Sequence, residues 1–163
     1  METQVKPSLK DTAEFYALAL GFGLADCREV VRWGDRLLEQ EARPPSWLID
    51  LVLVKDDAPG DAVTALHQAP GAINGFTPTL VLLLRARTYC QMGRYSGERV
   101  GRLLVELRML GLLPEEFLMN AYCIDDGFGL ASAGVCSSEA PEAALGEFFA
   151  SLSVIENLEI AEP

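Results

Sequence analysis

The sequence predicts an all-α fold: an irregular multi-helix bundle of about eight helices, arranged as αα-hairpins in a single domain over residues 1–163. Three observations carry this. Apolar residues recur at spacings of three and four through most of the chain. Capping residues or prolines open the segments, and glycines or prolines close them. No two strand candidates exist that could pair. The chain has 163 residues, half of them hydrophobic, which is enough to bury a core without disulfide or metal staples.

Residues 1–10 read as a loose start. Asp11-Thr12-Ala13-Glu14 fits a capping box with Asp11 as N-cap. The first helix then carries Phe15, Tyr16, Leu18, Ala19 and Phe22, and ends near Gly21 and Gly23. Asp26 caps a second helix with Cys27, Val30, Val31, Gly34, Leu37 and Leu38 along one face. Pro44-Pro45 stops it, because the residue before a proline is pushed away from helical angles. Ser46 caps a short segment through Val54, read as helix rather than strand. Pro59 opens another with Ala62, Val63 and Leu66, and Asn74-Gly75 marks a turn.

The stretch Thr77–Arg94 organises the prediction. Thr77 is the expected N-cap and Pro78 the first helical residue, where its missing N–H costs nothing. Leu80 to Leu84 are apolar without a break, so the helix is expected to be buried on most sides. Ser96 caps a partner with Val100, Leu103, Leu104, Leu107 and Leu110, and Gly111 closes it. Pro114 opens the next helix, with Glu115 and Glu116 against the positive end of its dipole. Its stripe of Phe117, Ala121, Ile124, Phe128 and Ala131 carries it through Asp125-Asp126-Gly127. Pro141 opens a last helix with Leu145, Phe148, Phe149, Leu152 and Ile155, and the tail from Glu156 reads as frayed. No repeat occurs at a fixed period, which favours a bundle over a solenoid.

Charge is the informative feature. The formal net charge is −11 and the isoelectric point near 4.5. Nucleic acid and anionic membrane are not expected partners, since both need positive charge. From Gly111 onward there are ten acids and no Lys, Arg or His. The first 110 residues hold the other fourteen acids and all thirteen bases. Arg85, Arg87, Arg94, Arg99, Arg102 and Arg108 make the central hairpin basic. One reading is internal: the acidic helices dock beside these arginines as counter-charge, and the rest is a solvated face. The other is a surface of Glu115, Glu116, Asp125, Asp126, Glu139, Glu142 and Glu147 for a basic partner, which opposite charge steers to it. A bacterial immunity protein or an acidic adaptor would carry charge in this way, as would many unrelated small helical proteins.

Four cysteines, Cys27, Cys90, Cys123 and Cys136, form no CxxC pair, and His67 has no cysteine near it in sequence. No zinc site is expected, and the thiols are read as reduced in a cytoplasmic protein. Leu24-Ala25-Asp26-Cys27 resembles a lipid-acceptor signal, but Asp26 breaks that pattern. The apolar run before it is too short to cross a bilayer, which takes about 20 apolar residues. His67 lacks the oriented nucleophile of a catalytic pair. No glycine-rich phosphate loop follows a strand. Trp33 and Trp47 are expected in the core.

The expected function is therefore a non-enzymatic interaction module for a basic protein, with no cofactor. The alternative is an enzyme or ligand-binding bundle with a carboxylate site near Glu115, Glu116, Asp125 and Asp126. A homo-oligomer, basic hairpin against acidic helices, is a third expectation.

Overall fold

The computed structural model describes residues 6–152. It is all-α, as the spacing predicts, and no strand occurs among the described residues. The helices are α1 (Leu9–Gly21), α2 (Cys27–Gln40), α3 (Ser46–Val52), α4 (Pro59–His67), α5 (Thr77–Gln91), α6 (Gly97–Met109), α7 (Leu118–Ser132) and α8 (Glu139–Ser151). A single 3-10 turn, Glu115–Phe117, precedes α7. The expectations for Ile155 and for the tail from Glu156 fall outside the described residues.

Several boundaries differ from the sequence reading, each for a local reason. α1 starts two residues before Asp11, because Ser8 is its N-cap and Asp11 is the N3 partner of the capping box. Ser8 gains the box because its backbone N–H and its hydroxyl both donate to the Asp11 carboxylate. Ser46 lies inside α3, with Pro45 in the N-cap position. Pro114 opens the 3-10 turn, and α7 follows it. α8 begins at Glu139, so Pro141 sits in its first turn.

The described residues group into two compact units, one up to Leu82 and one from Leu83. In the first, α1 packs on α4, α4 on α3 and α3 on α2. Phe15, Tyr16, Trp33 and Trp47 run as a row of tilted rings 5.0–6.4 Å apart. Both tryptophans thus serve this core, with Trp47 buried and Trp33 half-buried. Gly34 lets α2 approach α3, since a Cβ there would stand 3.0 Å from Val52.

In the second unit α6 packs on α7 and α7 on α8. α6 buries Val100, Leu103, Leu104 and Leu107, and each such side chain contributes about 1.5–3 kcal/mol. Phe117 meets Phe148 edge-on at 5.4 Å. Gly101 sets the closeness of α6 and α7: a Cβ there would lie 3.1 Å from the Asp125 Cα.

One construction recurs four times. After α1, α5, α6 and α7 the chain turns through Gly23, Gly93, Gly111 and Gly134, all with φ near 70°. The next amide reaches back to close the helix: Leu24 to the Ala19 carbonyl, Arg94 to Tyr89, Leu112 to Leu107 and Val135 to Leu130, at 2.7–2.9 Å. That is the left-handed glycine stop. Asp26 and Ser96 cap α2 and α6 through their side chains. The four turns fall at unequal intervals, which is why no fixed period shows in the sequence.

Candidate functional site

The residues singled out by charge all belong to the second unit. Glu115 and Glu116 sit on the 3-10 turn ahead of α7, Asp125 and Asp126 on α7 itself, and Glu139, Glu142 and Glu147 on α8. Six of the seven are exposed, and Asp125 is half-buried. Asp125 belongs to the backbone that faces Gly101 of α6. Asp126, about 100° further round the helix, is exposed. The adjacent pair therefore divides between a helix contact and the surface, and does not converge on one point.

None of these seven carboxylates forms an ion pair within 4 Å among the described residues. The arginines have other company. Arg94 lies over the Tyr89 ring at 5.9 Å, Arg99 over Tyr95 at 4.3 Å and Arg108 over Tyr122 at 4.1 Å. Arg108 also donates to the Tyr122 hydroxyl. Arg102 pairs with Glu98 one turn earlier on α6, at 2.6 Å. Arg85 and Arg87, on α5, are half-buried. A guanidinium over a tyrosine face is held by the ring quadrupole. Four of the six arginines, Arg94, Arg99, Arg102 and Arg108, are thus accommodated by aromatic faces and by Glu98. Burial raises the Tyr95 pKa, and the charge of Arg99 opposes that only in part.

Sequence reading missed a second stripe on α7. Phe117, Ala121, Ile124 and Phe128 face inward as the spacing requires. On the opposite side Met119, Tyr122, Asp126 and Leu130 follow at steps of three, four and four, which places them on one face. Met119 is 71% exposed, Leu130 48% and Tyr122 44%. The signal was present in the sequence, since α7 is apolar on two sides. A single stripe was sufficient for the core, and the other had no assigned use.

Groups elsewhere are structural. His67 Nδ1 lies 3.1 Å from Glu14, and Lys10 reaches the same carboxylate at 2.6 Å and the His67 carbonyl at 2.8 Å. Burial pushes the Glu14 pKa up, but hydrogen bonds and charge from Lys10 and His67 outweigh it and hold it below the ordinary glutamate value. Cys27 is buried, Cys90 half-buried, and Cys123 and Cys136 exposed; all four are free. Burial raises the Cys27 and Cys90 thiol pKa values, so both stay protonated and unreactive near neutral pH. Among the described residues no group of three or more His, Cys, Asp or Glu side chains is placed to hold one metal ion. No helix among them is long and apolar enough to cross a membrane. No family model, no curated protein and no solved structure matches the chain.

Proposed function

We propose that the chain is a non-enzymatic interaction module that binds a basic protein through the carboxylates following Gly111. One observation supports this above the rest. Glu115, Glu116, Asp126, Glu139, Glu142 and Glu147 are exposed and form no ion pair among the described residues, although the same unit holds six arginines. Apart from the first-turn placement of Glu115, Glu116, Glu139 and Glu142, which the helix dipole favours, unpaired charge of one sign repels itself. It does raise the encounter rate with a partner of opposite sign. A cytoplasmic setting suits the four free thiols, because thiols persist in reducing compartments.

The test is affinity capture from a host lysate at low and high salt. It uses the wild-type chain beside a variant with Glu115, Glu116, Glu139, Glu142 and Glu147 changed to Gln and Asp126 to Asn. The reading expects a basic protein that is retained at low salt, released at high salt and lost in the variant. A partner held equally well by the neutralised variant contradicts it.

A further inference from the structure

We propose that the outward stripe of α7 docks a basic amphipathic helix, laid along Met119, Tyr122, Asp126 and Leu130. This rests on the acidic-docking reading and deepens it by naming the kind of segment and the seat it takes.

Three facts carry the inference. A helix with one face in a core ordinarily turns polar residues outward. Here the outward face holds a Met, a Tyr and a Leu, exposed by 71, 44 and 48%. They fall at i, i+3 and i+11 with Asp126 at i+7, so one face of α7 offers apolar contacts at both ends and a carboxylate between them, a strip along which an amphipathic helix can lie. The surroundings are acidic: Asp126 is within the stripe, and Glu115 and Glu116 stand exposed at its N-terminal end. No Lys, Arg or His occurs anywhere after Arg108 in the chain. The neighbouring cation, Arg108, is engaged with Tyr122 by both ring and hydroxyl, which holds that ring in place and leaves three carboxylates in excess.

Charge complementarity selects the occupant. A second copy of this chain, docked α7 to α7, would set Glu115, Glu116 and Asp126 against like charges, which is unfavourable across an interface. An acidic bilayer surface is repelled for the same reason. A helix with Leu or Met on one face and Lys or Arg beside it satisfies both parts of the surface. Met119 also suits the role, because an unbranched thioether adapts to varied partners.

The experiment uses three synthetic peptides of about five helical turns, titrated into the full chain and followed by fluorescence anisotropy. One carries an apolar stripe with lysines on its other face, the second the same stripe with glutamates, and the third the lysine composition with the stripe scrambled. The proposal expects the first to bind, and the other two to bind at least about tenfold more weakly. Met119→Gln with Leu130→Gln should weaken the first about tenfold, while helicity by circular dichroism is unchanged. Failure of the first peptide to bind overturns the proposal. So does equal binding of the scrambled lysine peptide together with indifference to the double variant; in that case acidic docking stands and the stripe has no part in it. Equal binding of the glutamate peptide removes both readings. Concentration-dependent dimers that the double variant abolishes, seen by sedimentation, would assign the face to a second copy instead.

Discussion

The two units of this chain use charge in opposite ways. Up to Leu82, side-chain charges tie elements together. Asp11 is almost fully buried; it accepts from the Ser8 backbone and hydroxyl at the start of α1 and from the Asn74 amide at 2.8 Å. Lys10, Glu14 and His67 join α1 to α4, and Arg28 joins α2 to Asp56 in the loop before α4. From Leu83 onward Arg94, Arg99 and Arg108 rest on tyrosine rings and Arg102 on Glu98, and Glu115, Glu116, Asp125, Asp126, Glu139, Glu142 and Glu147 have no ion partner among the described residues. Cohesion there comes from apolar packing and from glycines that admit close helix approach. Charge released from structural duty is available for recognition, and this is the basis of the assignment made above.

Substitutions can break or sharpen that contrast. The largest effect is expected at Gly101→Leu in the second unit. The added side chain starts 3.1 Å from the α7 backbone, which cannot rotate aside as a side chain would. Overpacking should cost about 3 kcal/mol, read as a lower urea midpoint. A neutral result would mean that α6 and α7 are not held by close packing. In the first unit Asp11→Ala leaves the Ser8 and Asn74 amides without their acceptor. It should cost about 2–3 kcal/mol, since buried bonds to a charged group are lost together with the cap.

Glu14→Gln is a smaller test, and it carries a pH signature. The folded-state pKa of Glu14 lies below its unfolded value, so its contribution is present above the unfolded pKa and is lost as pH falls through the folded one. The variant should be about 1 kcal/mol less stable than wild type near neutral pH. The two should converge as pH falls through the lowered folded-state pKa of Glu14. The smallest effect is expected for Glu139→Gln, Glu142→Gln and Glu147→Gln combined. These exposed, unpaired groups should leave stability within about 0.5 kcal/mol at any pH.

Much of this fold was legible because its signals are local. Pro59 at the first turn of α4, Asp26 and Ser96 as caps, and Gly23 and Gly111 as stops act within a few residues of where they stand, whereas the expected run of α5 to Arg94 overlooked the stop at Gly93. Ser8 was missed because it lies in a stretch read as a loose start, and its role as cap depends on its bonds with Asp11. Composition sees that arginines and carboxylates coexist but not which neighbours they find. Tyr89, Tyr95 and Tyr122 received three of those arginines, and only tertiary placement reveals that. The outer stripe of α7 was visible as spacing, yet one stripe already accounted for the core and spacing assigns no use to a second.

The most direct test of the central claim is the urea stability of the variant with Glu115, Glu116, Glu139, Glu142 and Glu147 changed to Gln and Asp126 to Asn. It should be measured at low salt, where surface charge is least screened. The account predicts stability within about 1 kcal/mol of wild type, because the self-repulsion removed offsets the lost first-turn dipole contacts of Glu115, Glu116, Glu139 and Glu142. A loss of more than about 1 kcal/mol would show that these carboxylates neutralise the arginines within the fold, and that the acidic helices are not a surface kept for a partner.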